Sequence, residues 1–88
     1  MGATLELGST TAKSWKEARD KIVDYCDAYY GEDPYNGSFN TIYDWIECKK
    51  SFESVDDFED WVCDNGDKRE AYVWKHKDKY IICGWCAC

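Results

Sequence analysis

The chain has one histidine, one proline and no apolar run approaching the roughly 20 residues that a membrane-spanning helix needs. Its first residues, Met1-Gly2-Ala3-Thr4-Leu5-Glu6, supply neither the basic segment nor the apolar stretch of a secretory leader. Glu6 stands where a myristoylation signal carries Ser or Thr. The expected location is therefore a reducing cytoplasm. Catalytic motifs are missing too: there is no Gly-x-Ser-x-Gly, no phosphate loop and no His-Glu-x-x-His. The lone His76 falls in the lysine-rich stretch Lys75-His76-Lys77-Asp78-Lys79, where a solvated imidazole is a poor general base. Internal repeats and low-complexity segments are absent, so residues 1–88 are expected to form one domain. A domain of this size offers little room for a desolvated pair of catalytic carboxylates, and a non-enzymatic role is expected.

What the chain does have is charge, aromatic residues and thiols. Its net charge is −7, with five Trp, seven Tyr and six Cys in 88 residues. The aromatic side chains supply large apolar area to a core that small size otherwise limits. An acidic surface repels nucleic acid phosphates and anionic membranes and suits a basic protein partner, or solubility alone. Direct contact with nucleic acid or membrane is not expected, and the chain is expected to be a monomer.

Ala3 to Leu7 reads as a short strand, with a loop from Gly8 to Thr11. Ser14-Trp15-Lys16-Glu17 matches the capping box and starts a helix that runs to about Tyr30, with Gly31 as its stop. Trp15, Ala18, Ile22, Cys26 and Tyr29 recur at three- and four-residue steps and form its apolar face. Residues 31–38 form a loop carrying the turn dipeptides Asp33-Pro34 and Asn36-Gly37. Phe39 to Cys48 reads as a strand inside the sheet, with Ile42, Ile46 and Cys48 on one face and Phe39, Thr41, Tyr43 and Trp45 on the other. Ser54 caps a second helix that ends at Asn65-Gly66 and buries Val55, Phe58 and Val62, with Cys63 at the border of that face. Glu70 to Lys75 and Lys79 to Trp85 read as a hairpin, Cys83 pointing away from Cys86 and Cys88 if the last strand stays extended. The order β-α-β-α-β-β suggests an α+β two-layer domain: a mostly antiparallel sheet with both helices on one face.

Three of the six cysteines fall in the last six residues, Cys83-Gly84-Trp85-Cys86-Ala87-Cys88. Cys-x-x-Cys is a common zinc spacing when the chain bends, and Gly84 permits a bend. The expected quartet is Cys48, Cys83, Cys86 and Cys88, with Cys63 as the alternative fourth ligand and zinc as a structural ion. The competing reading makes these thiols small core hydrophobes. Cys83-Gly84-Trp85-Cys86 also resembles the thioredoxin-type C-G-x-C, but no helix can follow it within two residues to lower the thiol pKa. The final Cys-Ala-Cys resembles the prenylated end of Rab-type GTPases, without their phosphate loop or basic spacer.

Each helix carries a row of carboxylates opposite its apolar face. Glu17, Asp20, Asp24 and Asp27 form one ladder; Asp56, Asp57, Asp60 and Asp64 form the other. A solvated face accounts for such rows. Two ladders side by side would also imitate a phosphate array and fit a basic nucleic-acid-binding groove. In its size, its charge, its Cys-rich end and its loop Tyr30-Gly31-Glu32-Asp33-Pro34-Tyr35-Asn36-Gly37, the chain resembles small phage and mobile-element proteins of the anti-CRISPR and antirestriction type, some of which carry structural zinc. That resemblance implies a phage-encoded inhibitor in a host cytoplasm. It would bind a Cas9-type nuclease or a restriction enzyme and block DNA binding or loading.

Overall fold

The computed structural model describes residues 2–31 and 37–88. The turn dipeptide Asp33-Pro34, Asn36 and most of the loop that contributes to the resemblance lie outside the described residues. The protein is α+β, with two helices and one four-stranded mixed sheet. The elements are β1 (Ala3–Thr10), α1 (Trp15–Tyr30), a 3₁₀ turn (Phe39–Thr41), β2 (Asp44–Cys48), α2 (Val55–Asn65), β3 (Glu70–His76) and β4 (Lys79–Ala87). The strand order is β1-β4-β3-β2; β4 runs antiparallel to both neighbours, and β2 pairs in parallel with β3.

Both helices start where their caps dictate. The Ser14 hydroxyl accepts from the Glu17 N–H at 3.2 Å, and the Glu17 carboxylate accepts from the Lys13 N–H at 2.8 Å. Ser54 accepts from the Asp57 N–H at 3.2 Å. These bonds satisfy amides that the first helical turn leaves without intrahelical partners.

The helices pack on opposite faces of the sheet, not on one face as the sequence suggested. The alternation along β3 and β4 shows this directly. Ala71 and Val73 of β3 join Tyr80, Ile82 and Cys86 of β4 in a cluster with Ala18 and Cys26 of α1. Trp74 of β3 joins Ile81 and Cys83 of β4 in a second cluster with Phe58 and Val62 of α2. The result is three layers. Connection handedness explains it. The step from β1 through α1 to β2 crosses the whole sheet, and the step from β2 through α2 to β3 turns back by one strand. Crossovers between parallel strands are right-handed, so steps in opposite directions place their helices on opposite faces. Strand order carries this information, and local periodicity does not.

Three smaller expectations also change. First, β1 continues through Gly8, Ser9 and Thr10 to pair with Ile82, Ile81 and Tyr80, where a loop was expected. Gly8 serves a close approach there, since a Cβ would lie 3.2 Å from the Phe39 ring. Second, the strand expected from Phe39 begins only at Asp44. Thr41 Oγ1 donates to the Ser38 carbonyl at 2.7 Å, and Asn40 Nδ2 donates to Asp27 and to the Gly31 carbonyl. Such local side-chain bonds compete with a ladder and turn the segment into a 3₁₀ helix. Ile42 consequently packs in the α1 layer with Phe39 and Trp45, and β2 is an edge strand. Third, Tyr29 of α1 is 70% exposed instead of buried.

The α2 layer is mostly aromatic. Phe52 meets the Trp74 ring edge-on at 5.2 Å, Phe58 lies 5.1 Å from Trp74, and Trp61 meets Tyr72 edge-on at 5.1 Å. Such pairs each add about 0.5–1.5 kcal/mol beyond the area they bury.

Gly84 marks the closest approach in the sheet. A Cβ there would lie 2.6 Å from the Ala71 Cβ and 2.7 Å from the Glu70 carbonyl oxygen. Gly84→Ala is expected to destabilise the fold by about 3 kcal/mol through overpacking against backbone. Gly2→Ala, where the nearest atom would be 3.9 Å away, is the matched control. Urea unfolding of both variants checks this; equal midpoints would refute the close-approach reading.

Candidate functional site

The cysteine-rich end is a strand. β4 stays extended through Gly84, which pairs with Glu6 on one side and Ala71 on the other, so the bend that would bring Cys83 and Cys86 together is not made. Cys83 points into the α2 layer, whose cluster also holds Cys48, and Cys86 points into the α1 layer with Cys26. Cys63 and Cys88 are exposed. The quartet Cys48, Cys83, Cys86 and Cys88 is thus divided between the two faces of the sheet. Among the described residues no group of three or more Cys, His, Asp or Glu side chains is gathered as a ligand set.

Backbone and hydroxyl groups hold this end in place. Gly2 and Cys88 exchange backbone bonds of 3.1 and 3.2 Å. The Gly37 N–H donates to the Ala87 carbonyl at 2.7 Å, and the Arg69 N–H donates to the Trp85 carbonyl at 2.7 Å. The Ala87 N–H donates to Thr41 Oγ1 at 3.0 Å; Thr41 is buried and passes its own proton to Ser38. Thr41 is a residue that sequence reasoning missed, having been placed on one face of a longer strand.

Burial also sets the chemistry of the two inner thiols. Loss of solvent, then the nearby Glu59 carboxylate, pushes the Cys83 thiol up to about 12 from an ordinary 9.0. Loss of solvent, then Glu6, pushes Cys86 up to about 12 as well. Both remain neutral thiols at neutral pH, the opposite of what a redox nucleophile needs.

The carboxylate ladders lie on opposite sides of the molecule, because their helices do; they are not side by side. They also differ in electrostatic setting. On α1, Arg19 Nε lies 3.1 Å from Asp20, and Lys21 Nζ lies 3.7 Å from Glu17. Asp27 accepts from Asn40 Nδ2 at 2.8 Å, and Asp24 is exposed next to this set. On α2, Asp56, Asp57, Asp60 and Asp64 are all exposed, and among the described residues none of them is in an ion pair. Of the two lysines that precede α2, Lys50 sits over the Trp61 ring at 5.8 Å, and Lys49 lies 3.9 Å from Glu47. Asp56 and Asp57 also meet the positive end of the helix dipole, which favours them in the first turn. Asp60 and Asp64 have no such compensation.

His76 stacks on Trp74 at 4.6 Å, which places the imidazole on its strand neighbour. No helix among the described residues is long and apolar enough to cross a membrane. No protein-family model matches the chain, and no curated protein and no solved structure is significantly similar to it.

Two outcomes follow from the buried thiols. Under native conditions at neutral pH, iodoacetamide should label Cys63 and Cys88 and spare Cys83 and Cys86 until the chain unfolds. Chelator treatment should leave the fold intact. Peptide mapping and circular dichroism check the two; collapse of the fold on chelation would instead favour the zinc quartet. Stability should also depend on alkaline pH. The folded thiols titrate above their unfolded value, so the unfolded chain loses protons first as pH rises. Their contribution is complete below pH 9.0, then declines toward about 12; Tyr72, raised from 10.0 to about 12 by burial first and then by its hydrogen bond to Glu70, adds to the decline. Urea midpoints should be flat from neutral pH to about pH 9 and fall beyond it.

Proposed function

We propose that this protein is a non-enzymatic inhibitor that binds a basic, nucleic-acid-binding groove of a protein partner through the carboxylate row of α2. The observation that carries the proposal is the contrast between the helices. Asp56, Asp57, Asp60 and Asp64 present exposed negative charge without ion-paired cations among the described residues, whereas Glu17 and Asp20 on α1 have cations at hand. Unpaired carboxylates on a rigid helix keep their field for a partner, and a cation-lined groove gains most from that field. The net charge of −7 directs encounters with a basic surface and away from nucleic acid itself. The resemblance to anti-CRISPR and antirestriction proteins supplies the partner class, a Cas9-type nuclease or a restriction enzyme. The α2 row would then hold the groove that DNA otherwise enters. In this reading the inner thiols are packing groups, and the cysteine-rich end fastens the fold.

The experiment compares reversals on the two helices. Asp60→Lys with Asp64→Lys should weaken inhibition of DNA cleavage by about a hundredfold, because each reversal replaces an attraction with a repulsion at a cost of roughly 1–2 kcal/mol. Asp20→Lys with Asp24→Lys should cost less than about tenfold. Wild-type inhibition should also fall with added salt. An α2 double variant that inhibits as well as wild type would sink the proposal, as would failure of the protein to bind either class of enzyme.

A further inference from the structure

Among the described residues the sheet has an unpaired edge, and apolar side chains gather along it. β1 pairs with β4 on one side and, among the described residues, with no strand on the other. Gly2 and Cys88 exchange both of their backbone bonds, so in the antiparallel register Thr4, Glu6, Gly8 and Thr10 direct their N–H and C=O groups at β4. The same groups of Ala3, Leu5, Leu7 and Ser9 face outward. Open edges are ordinarily protected by lysine, proline, a bulge or a covering loop. β1 has eight residues, no proline, no lysine and one charged residue, Glu6.

Exposed apolar groups flank this edge in both layers. On the α2 side Leu7 is 42% exposed, beside the partly buried Leu5. On the α1 side Tyr25 and Tyr30, 56% and 54% exposed, border the groove over Glu6, Leu7 and Gly8. Leu7, Tyr25 and Tyr30 are three of the five large apolar residues that are exposed in the described structure.

We propose that two copies of this chain pair antiparallel through β1, about a two-fold axis at Leu7, so that the two sheets become one. This symmetric contact is isologous: every group that one copy offers meets its own counterpart. With Leu7 opposite the partner's Leu7, Leu5 lies opposite the partner's Ser9. All of these residues have outward-facing backbone groups, and the three pairs can exchange two hydrogen bonds each. The axis at Leu7 sets the exposed Leu7 against its own counterpart and avoids the neighbouring register that charge disfavours. A two-fold axis at Glu6 would set two carboxylates opposite each other, which is destabilising. An axis at Leu7 sets Glu6 opposite the partner's Gly8 and Thr4 opposite the partner's Thr10.

That placement also brings opposite charges together. Lys21 Nζ lies 2.8 Å from the Thr11 carbonyl, at the Thr10 end of the α1-side groove. Thr4 Oγ1 donates to Glu6 Oε2 at 3.2 Å and draws that carboxylate toward the Thr4 end of its own strand. Across the axis, the Thr4 end of one copy faces the Thr10 end of the other. Each Glu6 therefore approaches Lys21 of the partner subunit, and the contact has two such pairs. The pairing departs from the monomer expected from sequence, and it does not use the α2 carboxylate row of the proposed inhibitory contact.

Sedimentation equilibrium of the full chain in reducing buffer, from micromolar to millimolar concentration, tests the pairing. A reversible dimer is expected. Leu7→Lys should raise its dissociation constant by at least about tenfold, and at concentrations where both chains are monomers the variant should keep the wild-type circular dichroism spectrum, since Leu7 is 42% exposed and outside both buried clusters. Glu6→Lys and Lys21→Glu should each weaken the dimer, and the double variant should restore it. A chain that stays monomeric to millimolar concentration overturns the proposal. So does a dimer that is indifferent to Leu7→Lys, or one that the double charge exchange fails to restore.

Discussion

The structure depends on the backbone pairing of its last strand. β4 lies between β1 and β3, hydrogen-bonded on both edges, and its side chains alternate between the two helix layers. Ile82 and Cys86 go to α1; Ile81 and Cys83 go to α2. One strand thus supplies both cores, and both helix layers draw on residues at the end of the chain. Most contacts of β4 are remote in sequence, β1 above all, so the entropy of closing nearly the whole chain opposes its pairing. The aromatic packing around Trp74 and the complete burial of Ile82, Cys83 and Cys86 offset that cost.

This constraint accounts for Cys83 and Cys86. A strand covered on both faces needs small and medium apolar side chains in both directions, and Cys is among the most readily buried residues. Gly84 sits in the same strand because the β3 backbone comes within 2.7 Å of where its Cβ would be. The Cys-x-x-Cys spacing arises here from alternation around a glycine, with one thiol in each layer.

Local features of the sequence were readable and global ones were not. Ser14, Glu17 and Ser54 marked the helix starts because capping is a contact within four residues. The α+β class and the mostly antiparallel sheet followed from element order and the hairpin. The faces on which the helices pack depend on strand order, which no local pattern encodes, and β1 with β4 is a pairing of opposite chain ends. The strand expected from Phe39 failed for another reason: Ser38, Asn40 and Thr41 make specific bonds that composition does not reveal. For the candidate site, the sequence located every carboxylate on the helices. It could not show that Arg19 and Lys21 attend one ladder while, among the described residues, no carboxylate of the other is ion-paired.

Separation of the two helices by the sheet gives each face of the molecule its own character. The α2 side is an acidic row without ion pairs among the described residues, over an aromatic layer; the α1 side is mixed in charge and rich in exposed tyrosine. Hydrogen exchange, measured on the free protein and on its complex with a Cas9-type nuclease, tests this division most directly. The expected result is slowest exchange in β4 of the free protein and added protection at residues 55–65 on binding, with the α1 amides unchanged. Added protection confined to α1, or none anywhere, would contradict the account.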